Sequence, residues 1–268
     1  MTVTKSLRLT GGCVSRVSTE PRLRIAAWCL AGVFGAMGTA SAQTLTLYSN
    51  SGGSNTLPTN IPFTLLNLGT NSTANSLVQT TSVTKTSSPA KLPTGAEIQN
   101  IVFGTGGSTP SGVFAGGVSG QAATPFGSTN TKTDYLVAGA AGSVTVSYTV
   151  TQDALQILWG SVDGTATNNN NIITFMNGTT AVGTVNGSQI ASAVGTGFVT
   201  GTTNVALRIS SLPGFNSVVL SDPGSAAFEF ALGLPVPEPA SIGLFGLAAS
   251  MVGFVSLRGR IRRARSAA

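Results

Sequence analysis

The sequence predicts an all-β fold, an antiparallel β-sandwich of jelly-roll-like kind, and three observations carry that expectation. Between Gln43 and Pro235 the dominant apolar period is two. It is clearest where Ser143-Val144-Thr145-Val146-Ser147-Tyr148-Thr149-Val150 alternates polar with β-branched or aromatic residues, the pattern of a strand with one face on a core. Short apolar runs follow at Leu155 to Trp159, Ile172 to Met176, Thr179 to Val185, Phe198 to Thr200, Val205 to Ile209, Ser217 to Leu220 and Ala227 to Leu232, a spacing suited to consecutive short strands. The gaps hold turn formers: Asn177-Gly178, Gly201, Pro213-Gly214 and Pro223-Gly224. Glycine supplies positive φ there and proline cannot continue a ladder. No segment of this region shows a sustained helical period with caps.

Taken in order, Thr44 to Tyr48 alternates as a strand and Ile61 to Leu68 supplies apolar mass, whereas Asn71 to Pro93 is mostly Thr, Ser and Asn. Glu97 to Phe103 fits either a strand or one turn of helix. Gly104 to Thr133 is rich in Gly, Ser and Thr, with isolated Val113, Phe114, Val118 and Phe126. Such a stretch buries little apolar surface per ordered residue, so a long loop or flexible region is expected. Asn177-Gly178 lies between two apolar runs and suits the type I′ turn of a hairpin. Asn186-Gly187 reads as the end of the return strand. Both dipeptides also begin glycosylation sequons, as does Asn71-Ser72-Thr73, but turn chemistry accounts for the first two.

The two ends have a different character. Lys5, Arg8, Arg16, Arg22 and Arg24 precede an apolar stretch from Ile25 to Met37, and Ala40-Ser41-Ala42 stands before Gln43. A basic segment, an apolar core and an A-x-A site describe a secretory signal peptide over 1–42, handed to the Sec translocon and cut by signal peptidase after Ala42. Trp28 before Cys29 is too bulky for lipoprotein processing. Cys13 and Cys29 both precede the cut, so the exported chain has no thiol and rests on core packing alone.

At the other end Val236-Pro237-Glu238-Pro239 stands before an apolar run from Ile242 to Leu257, followed by Arg258, Arg260, Arg262, Arg263 and Arg265. The prolines disfavour helix in the residues before them and keep the segment extended for an enzyme. With Ala240 and Ser241 the run makes a short transmembrane helix over 240–257, whose Arg tail stays cytoplasmic. The order Pro-Glu-Pro, short spanning helix, Arg cluster resembles the PEP-CTERM sorting signal of exosortase-processed proteins in Gram-negative bacteria. The resemblance covers 236–268. It implies an exosortase as partner, cleavage near Pro-Glu-Pro, a transient stay in the inner membrane, and delivery to the cell surface or extracellular matrix. A second resemblance rests on Leu158-Trp159-Gly160-Ser161-Val162-Asp163, Asn171 to Phe175, the Asn-Gly hairpin and Phe228-Glu229-Phe230. From about Ser143 to Leu232 the chain is similar to single-domain exosortase-dependent surface proteins. That implies a β-sandwich of unassigned biochemical role, with no catalytic residues to carry over.

Removing the ends also changes the charge. The whole chain carries +6 at neutral pH, but between Gln43 and Glu238 four basic residues (Lys85, Lys91, Lys132, Arg208) face seven acidic ones (Glu97, Asp134, Asp153, Asp163, Asp222, Glu229, Glu238), a balance of −3. No clustered cationic face remains for nucleic acid. The chain has no His, which removes Ser-His-Asp and Cys-His arrangements and His-based metal sites. No cofactor is expected. The glycine clusters at Gly104-Thr105-Gly106-Gly107 and Gly116-Gly117-Val118-Ser119-Gly120 lack the lysine of a phosphate loop. Asp163 opens an Asn-rich loop to Asn171 that offers the oxygens calcium prefers, but not at EF-hand positions, so it is a calcium candidate only and no metal is expected. Asp153, Asp163, Asp134, Glu97 and Glu229 are the acids available for a carboxylate pair, but their spacing singles out none and they read as solvated turns and strand ends. Trp159 and Asp163 are the candidate ligand contacts, Trp159 only if its ring is exposed, since a Trp in Ile157-Leu158-Trp159 is more often core. The expectation is a non-catalytic surface or matrix protein that meets extracellular polysaccharide in a biofilm. The alternative is a secreted carbohydrate-active enzyme built on a carboxylate pair.

Overall fold

The structure, a computed structural model, describes residues 3–6, 43–69, 73–164, 171–224 and 227–234. In chain order its strands are β1 (Val3–Ser6), β2 (Thr44–Asn50), β3 (Ser76–Gln79), β4 (Ile98–Phe103), β5 (Gly112–Ala115), β6 (Asp134–Ala138), β7 (Ser143–Gln152), β8 (Leu155–Gly160), β9 (Ile172–Asn177), β10 (Thr180–Asn186), β11 (Val205–Ser210), β12 (Phe215–Ser221) and β13 (Phe228–Leu232), with one helix, α1 (Gly187–Val194), between β10 and β11. They form two antiparallel sheets, ordered β1-β2-β11-β8-β13-β6-β5-β3 and β10-β9-β12-β7-β4. No helix among the described residues is long and apolar enough to cross a membrane; the span expected over 240–257 lies outside them, as does most of the signal peptide.

Period-two alternation decides which face each strand buries. In β7, Val144, Val146 and Tyr148 are buried while Ser143, Thr145 and Ser147 are half-buried. They share one hydrophobic cluster with Ile173 and Phe175 of β9, Phe215, Val218 and Leu220 of β12, and residues of the other sheet: Ile157 and Trp159 of β8, Leu207 and Ile209 of β11, Phe228 and Phe230 of β13. Rings tighten this core. Trp159 stacks on Phe228 with centroids 4.5 Å apart, and Phe215 meets the rings of Phe175 and Tyr148 edge to face, geometries that favour aromatic pairs beyond their buried area.

The outer face of the larger sheet is covered as well. β5, β6 and β13 are buried at every position. Phe114, Tyr135 and Val137 pack there with Ala122 and Ala227, against Val118 and Phe126. Leu158, Ala206 and Ala231 form another cluster beneath Tyr48, Ile61, Phe63, Leu65 and Phe126. The segment 104–133, expected as loop, therefore supplies β5 and lays its scattered apolar side chains across a sheet. Its few hydrophobes suffice because each finds a site on an already formed surface. β6 has no alternation to read, since a strand covered on both faces needs apolar residues throughout.

Three local expectations are corrected. The hairpin turn is Gly178-Thr179 rather than Asn177-Gly178: Asn177 pairs with Thr180 and positive φ occurs at Gly178 (60°) but not at Asn177, the type II′ pattern rather than I′. Asn186 does not merely end a strand but caps α1, accepting from the Gln189 N–H at 3.0 Å while the Gln189 side chain accepts from the Asn186 N–H at 2.9 Å. Phe198 to Thr200 is not a strand; Phe198 packs against the core from a loop. Replacing Asn186 with Ala is expected to cost about 1 kcal/mol, read as a lowered urea midpoint. An unchanged midpoint would show that the cap adds nothing.

The register places the chain ends. Thr44 lies opposite Ser210, Ile209 opposite Leu155, and Ile157 opposite Leu232. The start of β2 and the end of β13 thus sit at one end of the larger sheet, three strand spacings or about 14 Å apart. Asn50, Gly160, Ile172 and Ser221 mark the opposite end.

Candidate functional site

At that opposite end a buried polar cluster ties three segments together. Asn171 is fully buried. Its Oδ1 accepts from Trp159 Nε1 at 3.3 Å and from the Asp163 N–H at 3.1 Å, and its Nδ2 donates to Asp222 Oδ2 at 2.9 Å. Asp222 Oδ1 accepts from the Gly224 N–H at 2.6 Å, the short turn that Asp-Pro-Gly favours. Nearby Asn204 plays the same part: its Oδ1 accepts from the Ser161 N–H, and its Nδ2 donates to the Thr56 and Pro125 carbonyls. Trp159 was the sequence candidate for a sugar-facing ring, yet it has no exposure and lies between Phe228 and the Asn171 amide. The condition for its role as a contact is not met. Asp163 is also inside the fold, at 7 % exposure. The loop residues 165–170 lie outside the described residues, and no group of three or more His, Cys, Asp or Glu that could hold a metal occurs among the described ones.

The acids expected on solvated turns and strand ends are therefore corrected in three cases, Asp134, Asp163 and Glu229, all of which are buried, as Asp222 is too. Burial pushes Asp163 up to about 6, with the charge of Asp222 adding and the Asn171 hydrogen bond opposing. Burial likewise raises Asp134 to about 6 and Asp222 above the usual carboxylate range. Glu229 sits on the outer face of β13, where its Oε1 accepts from the Ala123 N–H at 2.9 Å and its Oε2 has no partner. Burial drives it well above the carboxylate range. Isolated acids in sequence give no sign of this, because the loops that bury them are remote in the chain. Asp222 before Pro223-Gly224 and Asn186 three residues before Gln189 were legible signals; Asn171 and Asn204 had none.

Such carboxyls hold protons that the unfolded chain would release, which fixes a sign. Between about pH 4 and pH 6 the folded state binds more protons than the unfolded one, so stability is greatest below that window and falls as pH rises through it. The thermal midpoint is expected to drop by about 5 °C or more from pH 4 to pH 7, and Asp134→Asn with Asp163→Asn should flatten the profile. A midpoint that rises over this interval would refute the burial of neutral acids.

Of the processing residues, Ala40, Ala42, Val236, Pro237, Glu238, Pro239 and the five Arg from Arg258 to Arg265 lie outside the described residues. Gln43, the first residue after the expected cut, is described. With its amide oriented to suit both partners, it donates to the Thr184 carbonyl at 3.0 Å and accepts from the Thr184 N–H at 2.9 Å, joining the start of β2 to β10 of the other sheet. The fold holds the chain as far as Leu234: the Gly233 N–H donates to the Gln156 carbonyl at 2.7 Å and the Leu234 N–H to the Thr64 carbonyl at 2.8 Å.

Immediately beyond, residues 235–263 match the family model of the PEP-CTERM protein-sorting motif. No curated protein and no solved structure matches the chain. The matched segment contains Pro237-Glu238-Pro239, the apolar run and four of the five Arg. The chain thus carries a PEP-CTERM sorting motif directly after its last anchored strand, the mark of an exosortase-sorted surface protein.

Proposed function

We propose that the chain is exported with its 1–42 leader removed, held in the inner membrane by 240–257, cut near Pro237-Glu238-Pro239, and delivered as a non-catalytic β-sandwich module that associates with extracellular polysaccharide. The observation that carries the sorting part is the motif at 235–263. The fold is compatible with it: β2 begins and β13 ends at the same end of the larger sheet, so the leader, before its removal, and the C-terminal segment leave the sheet from one end. The Asp163 and Asn171 end then points away from the membrane, and hydroxyl-rich loops offer polysaccharide many weak contacts that multivalent display converts to retention.

A secreted carbohydrate-active enzyme is the second reading, favoured by one observation: burial raises both Asp163 and Asp222, and the charge of Asp222 adds to the shift of Asp163. Against it, both are enclosed, and the Asn171 amide and Gly224 N–H use up the oxygens of Asp222. The exported protein assayed on extracellular polymers, for both binding and turnover, separates the readings. Binding without turnover is expected. Turnover that Asp163→Asn abolishes, in a variant that still folds, would replace the first reading by the second.

A further inference from the structure

Among the described residues the two sheets end at β1, β3, β4 and β10, and the last three are defended. β3 is four residues long and breaks register between Leu77 and Gln79. β4 is bridged by Val83 to Ile101 and has its own register shift. β10 carries a bulge and the Gln43 amide. The fourth edge is β1, residues Val3–Ser6, which pairs with β2, itself paired with β11 on its other side. β1 belongs to the segment removed with the leader. After removal β2, Thr-Leu-Thr-Leu-Tyr-Ser-Asn, is an edge without proline or charge. Natural edges are usually blunted, because their free N–H and C=O groups template another strand.

We infer that the β2 edge, once freed of Val3–Ser6, pairs antiparallel with β2 of a second copy about a two-fold axis through Thr46. The inference rests on the leader being removed as proposed above. The structure shows the edge accepting an antiparallel strand, with Val3 opposite Leu47, Thr4 opposite Thr46, Lys5 opposite Leu45 and Ser6 opposite Thr44. A second β2 laid through Thr46 reproduces that register. Its Leu45 takes the place of Val3, its Thr46 that of Thr4, and its Leu47 that of Lys5, the one charged residue. Leu45 and Leu47 already pack against the core, so the paired strand extends an apolar face. The contact spans the regular part of β2, before the register shift between β2 and β11 at Tyr48. An isologous pairing of this kind closes as a dimer rather than a fibre.

The geometry also ties assembly to processing. Antiparallel pairing turns the second copy end for end. Both chain ends of each copy leave from one end of its sheet, so two copies held in one membrane cannot meet this way. Dimers form only between chains that the sorting cut has released.

The test uses the exported protein, with intact mass defining its N-terminus and sedimentation its state. A chain beginning at Gln43 is expected to dimerise reversibly. Thr46→Lys sets like charges opposite each other across the axis and should weaken the dimer by about tenfold or more. Thr46→Glu alone should act likewise, and an equimolar mixture of the two should restore a heterodimer, which a misfolded variant could not do. A chain that begins at Gln43 and stays monomeric up to about 0.5 mM overturns the edge pairing while leaving the leader reading intact. A mature chain that keeps Val3–Ser6 overturns both.

Discussion

Replacing Pro237-Glu238-Pro239 with three alanines is expected to abolish C-terminal trimming and leave the whole protein in the membrane. The fold holds Leu234 through its N–H to the Thr64 carbonyl, and only Pro235 and Val236 lie between it and Pro237-Glu238-Pro239. An enzyme that cuts this segment needs a backbone it can reach, and an extended one serves that. Prolines supply that by fixing φ and disfavouring helix before them. Alanine is the best helix former and would favour extending the helix expected over 240–257 back through the motif, hiding the site. Intact mass of membrane and released fractions reads the result. Normal trimming of the triple variant would sink the sorting assignment. Glu238→Ala alone, with both prolines kept, separates the chemical need for the carboxylate from the conformational one.

β7 and β9 were legible because alternation records a strand with one face on the core, and β2 and β11 lie where Thr44 to Tyr48 and Val205 to Ile209 were expected. β6 and β5 were hidden because covered faces erase the alternation. They are covered by Val118, Ala122, Phe126 and Ala227, apolar residues scattered through polar stretches, and nothing local tells such a residue from an exposed one. The helix was legible in principle, since Asn186 and Gln189 have capping-box spacing, but its eight residues are too few for a periodic signal. The sorting motif was the most legible part because it works as linear chemistry and needs no fold. The buried acids were the least. Their state depends on residues far away in sequence: Asp163 and Asp222 meet only through Asn171, and Glu229 is met by Ala123.

That dependence makes Asn171 the residue whose loss should cost the folded unit most. One fully buried amide serves Trp159, Asp163 and Asp222 at once, so Asn171→Ala strands an indole N–H, a backbone N–H and a carboxyl oxygen in the interior. Unsatisfied buried groups cost far more than the net worth of the bonds they made, and about 3–5 kcal/mol is expected. That is a large share of a typical domain stability of about 5–15 kcal/mol, so exported yield should fall sharply. Asn171→Asp then tests the cause. Its oxygens can still accept from Trp159 and Asp163, but the donor to Asp222 is gone and a third carboxyl joins two that already hold protons late. Its folded-state pKa must lie above its unfolded one, for the same reasons as Asp163. Stability should therefore be recovered below about pH 4, where the new carboxyl is protonated and can donate to Asp222, and lost as pH rises. Alanine can donate at no pH, so no such recovery is expected for Asn171→Ala. Urea midpoints for both variants from pH 4 to pH 8 decide it. If the Asp variant shows no acid recovery relative to Ala, the amide's donation to Asp222 is not what holds this end of the sheets together.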